Sequence, residues 1–102
     1  GTPPADALAT AAQWDIAAVG ANCGDGLDQM LEIIEGMVSA EINLPLIAKP
    51  NAGLPVLQNG RWHYPAKVAD FATFARKATQ KGICLIGGCC GTTPEMISAV
   101  VR

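Results

Sequence analysis

The sequence predicts an α/β chain built on a parallel sheet, and three observations carry that reading. Short apolar runs without alternation recur at residues 16–21, 44–48 and 83–86, the pattern of strands covered on both faces. Longer segments with apolar residues at helical spacing lie between and around them. Each run ends in glycine and polar residues, where a strand would turn toward the next element. Three successive βα units imply right-handed crossovers, which bring all the strand ends to one side of the sheet.

In chain order, residues 2–13 suit a helix, with Thr2 as cap, Pro3 in the first turn and Trp14 packing where it ends. Asp15 opens the next element, the strand 16–21, which runs into Asn22-Cys23-Gly24-Asp25-Gly26. The clearest helix covers 27–40, with Leu27, Met30, Leu31, Ile34, Met37 and Val38 inward and Asp28, Gln29, Glu32 and Glu35 facing away. The strand 44–48 tolerates Pro45 only at its beginning and leads to Lys49-Pro50-Asn51-Ala52-Gly53. Residues 54–64 read as irregular, with Asn59-Gly60 as a turn. Pro65 then starts a helix with Val68, Phe71, Phe74, Ala75 and Ala78 inward, closed by Gly82. The last strand, 83–86, meets Gly87-Gly88-Cys89-Cys90-Gly91, and a threonine cap with Pro94 in the first turn opens a helix carrying Ile97, Val100 and Val101.

With 102 residues, half of them hydrophobic and 16% charged, the chain is one domain or a piece of one, able to bury a core. Its formal charge of −2 comes without a Lys/Arg cluster, so neither nucleic acid nor an anionic membrane is an expected partner. No apolar run approaches the roughly eighteen residues of a membrane span, and Gly1-Thr2-Pro3-Pro4 lacks a signal-peptide layout. The expected location is cytoplasmic and the expected partners are small molecules. Four cysteines in a core-forming chain argue for free thiols over a disulfide scaffold.

The chemistry-bearing residues gather at the carboxyl ends of the three strands, where such folds bind ligands: Cys23, then Lys49 and Asn51, then Cys89 and Cys90. Adjacent cysteines are poor disulfide partners, and thiols ahead of a helix start are easily deprotonated. Cys23, Cys89 and Cys90 are therefore expected to hold one metal ion. Zinc fits best, with three soft sulfurs and one open position as in a catalytic site. Cys84, inside a strand, reads as a buried small hydrophobe. His63 sits in the irregular stretch as plain surface or as a fourth ligand. Asn51 either orients a ligand or closes an Asx turn. Lys49 reads as solvated or as a partner for a substrate carboxylate, and Asp25 and Asp28 suit the helix dipole. Two other functions compete: a structural zinc module closed by His63, and a redox switch using the Cys89-Cys90 pair.

These residues resemble the zinc- and homocysteine-dependent S-methyltransferase family. The resemblance rests on Gly20-Ala21-Asn22-Cys23-Gly24, Lys49-Pro50-Asn51-Ala52-Gly53-Leu54-Pro55, Tyr64-Pro65 and Gly87-Gly88-Cys89-Cys90-Gly91-Thr92-Thr93-Pro94-Glu95. It implies the last three βα units, strands six to eight, of a (β/α)8 barrel, with all 102 residues as one segment of it. It further implies Zn2+ on Cys23, Cys89 and Cys90, substrate contacts at Asn22 and Asn51, and methyl transfer to homocysteine giving methionine. Met96 stands where many relatives have histidine, a difference that touches helix packing. The family's Asp-Gly segment on its first barrel strand has no counterpart in this sequence. The expected partners are homocysteine, a methyl donor, and the rest of a barrel or another copy to cover the sheet edges.

Overall fold

A computed structural model describes residues 1–101. The elements are α1 (Pro4–Ala11), β1 (Val19–Cys23), α2 (Leu27–Val38), β2 (Leu46–Pro50), β3 (Val56–Gln58), β4 (Arg61–His63), α3 (Val68–Gln80), β5 (Leu85–Ile86) and α4 (Pro94–Val101). β1, β2 and β5 form the expected parallel sheet, with β2 in the centre.

Each strand of this sheet starts two or three residues later than the apolar runs suggest. Pairing supplies the reason. Pro45 has no N–H to give, so the ladder opens on its carbonyl, which accepts from Val19 at 3.1 Å. Val19 then pairs with Leu46 and Cys23 with Pro50, while residues 16–18 approach outside the ladder. On the far side, the Cys84 N–H reaches the Leu46 carbonyl at 3.0 Å and Gly87 reaches Ala48 at 3.0 Å, bracketing the short β5.

The expectation of strands covered on both faces is corrected. Along β2, Leu46, Ala48 and Pro50 are buried while Lys49 is exposed and Ile47 half-buried. The helices lie against one face only, and the thinnest extent, 20 Å, is that of one sheet and one helix layer. Gly20, Asn22, Lys49 and Leu85 are exposed. Cys84 is exposed as well, because β5 has no further strand beside it among the described residues.

α2 follows its stripe closely: Met30, Ile34 and Met37 are buried against Leu46, Ala48, Phe74 and Ala78, while Val38 lies outside. In α3, Phe71, Phe74, Ala75 and Ala78 point inward as expected, whereas Val68 in the first turn is 43% exposed. Gly82, at φ +105, closes this helix. The Ile83 N–H returns to the Ala78 carbonyl and the Gly82 N–H to Thr79, a Schellman arrangement that satisfies the last turn. The cap of α4 is Thr93, whose Oγ1 accepts from the Met96 N–H at 3.3 Å. Its buried residue is Met96, packed with Phe71 and Ala52, while Val101 faces out.

Two further expectations are corrected. α1 is shorter than 2–13 and is capped at Pro3, not by Thr2, and Trp14 is exposed where the chain turns away. Residues 54–64 are not irregular throughout: β3 and β4 form an antiparallel hairpin, with Leu57 opposite Trp62. Asn59 and Gly60 both take positive φ, +52° and +76°, as a two-residue primed turn requires.

Phe71 is fully buried at the junction of α3 with α4, so Phe71→Ala should cost about 3–5 kcal/mol. Val68→Ala, on the solvent side of the same helix, should stay within about 0.5 kcal/mol. Urea unfolding of the two variants measures both; equal losses would contradict this packing.

Candidate metal centre

The parallel ladder puts Cys23 beside Pro50, and the chain leaves β1 through two successive left-handed residues, Cys23 at φ +64 and Gly24 at φ +80. A left-handed backbone at a residue with a Cβ costs about 1 kcal/mol. Such outliers persist where the surroundings enforce them, commonly at functional positions.

Residues 50–52 supply that enforcement. The Pro50 carbonyl accepts the Cys89 N–H at 2.9 Å, the Asn51 N–H donates to the Cys23 carbonyl at 3.3 Å, and the Ala52 N–H donates to the Cys90 carbonyl at 2.9 Å. The Asn51 side chain spans the same gap. Its Nδ2 donates to the Gly24 carbonyl at 2.8 Å and its Oδ1 accepts the Cys90 N–H at 2.8 Å, partners that fix the orientation of the amide. The turn after β1 and the turn after β5 are thus tied to one residue at the end of β2. Behind them, the Tyr64 ring occupies the space that a side chain at Gly91 (φ +78) would need.

This brings Cys23, Cys89 and Cys90 together with all three sulfurs within 4.8 Å of one another. Cys23 and Cys89 are half-buried and Cys90 is exposed. Three thiols so placed could hold a metal ion. Cys23 and Cys89 meet Sγ to Sγ at 2.9 Å. Either thiol can donate to the other across this contact. Cys89 is pushed below the usual thiol range chiefly by the hydrogen bond from Cys23, and Cys23 is pushed above it by the same bond, with burial adding to its rise. Asn22 Nδ2 donates to Cys23 Sγ at 3.3 Å and lies 4.0 Å from Cys89 Sγ.

The other sequence candidates lie apart. His63 is exposed on the hairpin, and among the described residues no histidine or carboxylate joins the three thiols. The Cys84 sulfur points to the Gly82 carbonyl at 3.8 Å instead of into the core. Lys49 is exposed on the open face of the sheet. The larger cleft, about 530 Å³ between α2 and α3, is lined by Asp25, Asp70, Phe74 and Lys77 but by none of the thiols. A smaller one, about 230 Å³, lies on the open face against Asn22 and Lys49. No described helix is long and apolar enough to cross a membrane.

Asn51→Ala would leave the Gly24 carbonyl and the Cys90 N–H without their partner. The half-exposed setting limits the stability loss to about 1 kcal/mol. Metal affinity should fall more, by about tenfold or beyond, because the residue that fixes the spacing of the two turns is gone. Competition against a coloured chelator reads this directly; an unchanged affinity would remove Asn51 from the centre.

A family model described as homocysteine S-methyltransferase matches residues 1–102. The chain is 37% identical over 92% of its length to a methionine synthase of Mycobacterium leprae and 39% identical over 80% of its length to one of Mycobacterium tuberculosis. It is 35% identical over 98% of its length to the homocysteine S-methyltransferase YbgG of Bacillus subtilis. It spans 8% and 7% of the two methionine synthases and 32% of YbgG. With a three-thiol cluster at the carboxyl ends of a parallel sheet and a family match along its whole length, the chain belongs to the homocysteine S-methyltransferase family.

Proposed function

We propose that residues 1–102 are one segment, the last three βα units (strands six to eight) of a (β/α)8 barrel, that Cys23, Cys89 and Cys90 hold Zn2+, and that the whole enzyme transfers a methyl group to the thiol of homocysteine, giving methionine. The observation that carries this is the gathering of three sulfurs within 4.8 Å from two separate strand ends. Sulfurs about 2.3 Å from a tetrahedral zinc lie about 3.8 Å apart, between the 2.9 Å of the Cys23–Cys89 pair and the 4.8 Å limit of the group. The donor set fits zinc with small side-chain movement. With no histidine or carboxylate in the group among the described residues, a position stays open for substrate, which favours this reading over a closed structural site using His63.

Bound there, zinc would supply a Lewis-acidic centre that keeps a substrate thiol deprotonated at neutral pH. The remaining work belongs to the chain. Asn22 directs an amide N–H at the sulfurs from the open face, and so stands on the substrate side. Asn51 acts on the same site from behind, by fixing the separation of the two thiol-bearing turns. The open face of the sheet and the free edges of β1 and β5 call for cover, by the rest of the barrel or another copy of the chain. The four free thiols suit a reducing cytoplasm.

Cys23→Ser, Cys89→Ser and Cys90→Ser should each abolish tight binding of zinc, about one ion per chain, while Cys84→Ser leaves it intact. Metal analysis by atomic emission decides this: loss of zinc in Cys84→Ser with retention in Cys23→Ser would sink the assignment.

Residues 1–102 alone should not form methionine from homocysteine and a methyl donor, because the sheet keeps two free edges and exposed apolar side chains such as Leu85, and each hundred Å² of apolar area left uncovered forgoes roughly 2.5 kcal/mol against the roughly 5–15 kcal/mol stability of a small domain. Assay of a purified monomer against a zinc-only control tests this, and clear turnover would overturn the dependence on the rest of a barrel.

A further inference from the structure

The β3–β4 hairpin leaves its large apolar side chains uncovered. Register puts Leu57 opposite Trp62, and the two are 58% and 68% exposed. Neither strand contributes to the two buried groups of the core. The other face of the hairpin carries Arg61 opposite Gln58 and His63 opposite Val56. From residue 54 to residue 64 the segment holds no carboxylate, so its charge is positive. An aromatic and aliphatic pair beside an arginine is the composition of a protein interface.

The cleft of about 530 Å³ between α2 and α3 has the complementary character. Leu27, Leu31 and Phe74 give it an apolar floor, and Asp25, Asp28 and Asp70 stand against the one ammonium group of Lys77. Among the described residues the salt bridge lies elsewhere, between Lys81 and Glu35, so neither these carboxylates nor Arg61 meets an opposite charge. α2 leads into the central strand β2 and α3 follows it, whereas further strands of a barrel join at the free edges of β1 and β5. The cleft therefore stays open on the outer helix layer of a closed barrel. Gly53, Pro65 and Ala66, at the two ends of the hairpin segment, line the same cleft. The hairpin thus rises from the rim of its own cleft without filling it.

We propose that the β3–β4 hairpin of one copy seats in the α2–α3 cleft of a second copy, and that the contact is made twice about a two-fold axis. A second copy is the occupant because this chain itself carries the basic, aromatic wedge that matches the acidic, apolar-floored cleft. The hairpin's root at the cleft rim allows the symmetry, since an axis beside it lays each hairpin over the other's cleft. Wedged between two helices, the hairpin gives Leu57 and Trp62 to the apolar floor while Arg61 reaches the carboxylates. Tryptophan and arginine are the residue types that most often carry the energy of an interface, and the charges set which surfaces meet. The contact leaves the edges of β1 and β5, the exposed face of the sheet and the thiols untouched, so it stands apart from the reading of the metal centre.

Sedimentation velocity on the whole enzyme that contains residues 1–102 tests this. Wild type should dimerise above about 10 µM, and less readily as salt is added. Trp62→Ala, Arg61→Glu and Asp28→Lys should each weaken the dimer about tenfold or more, with melting curves close to wild type because all three side chains are exposed. An equimolar mixture of Arg61→Glu with Asp28→Lys should recover wild-type dimerisation, since the reversed hairpin then meets the reversed cleft and the native hairpin the native one. A wild type that stays monomeric at about 100 µM overturns the proposal, and protection of Trp62 from oxidative labelling in that monomer would assign the hairpin to another part of the enzyme. A dimer that none of the three substitutions weakens overturns it as well. So does weakening by the single variants without recovery in the mixture, which would separate the hairpin from the cleft.

Discussion

The constraint on which the site depends is the parallel register at the end of β2. Cys23 ends β1 and Cys89 follows β5, 66 positions apart and after strands that do not touch, so nothing local can bring them together. Pro50 and Asn51 do so. Backbone groups of both residues, and both ends of the Asn51 amide, are given to the turns that carry the thiols. A proline suits that place because its missing N–H is not needed where the ladder ends, while its carbonyl still accepts from Cys89. An aspartate in place of Asn51 would accept from Cys90 but could not donate to Gly24, and a leucine could do neither.

This arrangement explains why the packing is divided as it is. One buried group, around Met30, Ile34, Met37, Leu46 and Phe74, fastens α2 and α3 to the back of the sheet. A second, smaller one of Ala52, Phe71 and Met96 sits beneath the thiol turns, with Tyr64 against it. The first fixes the strands that aim the thiols. The second fixes the loops that present them, and Met96 belongs to it through packing alone.

Patterns governed by neighbours along the chain were legible in the sequence; those governed by partners across the fold were less so. The stripe of α2, the Thr93 cap and the closing role of Gly82 follow from spacing and backbone geometry over a few residues, and all three are found. Three cysteines at strand ends could be assigned to one cluster because parallel topology alone sends those ends to the same side. The strand limits were not legible, since a run such as residues 16–18 is apolar whether or not a neighbouring strand offers it a hydrogen bond. Cys84 was misread for a related reason: burial of a strand residue depends on what lies beyond the edge. The hairpin was within reach, because Asn59-Gly60 between short β-prone runs is a strong two-residue turn signal. Asn51 was left between two readings, and its partners, 27 and 39 residues away, leave no mark in the local pattern.

The thiol-bearing turns link stability to function. In the barrel proposed for the whole protein the exposed face of the sheet is the interior, so cover over Ile47 and Leu85 is compatible with thiols that stand beyond the carboxyl ends of the strands. The left-handed backbone at Cys23 costs about 1 kcal/mol. A metal ion held by thiolates from both turns would act in the opposite sense. It would bind the folded arrangement and not the unfolded chain, so its binding free energy would add to folding across the turns after β1 and β5. Such a centre would then also be a cross-link of the fold, joining the turn after β1 to the turn after β5.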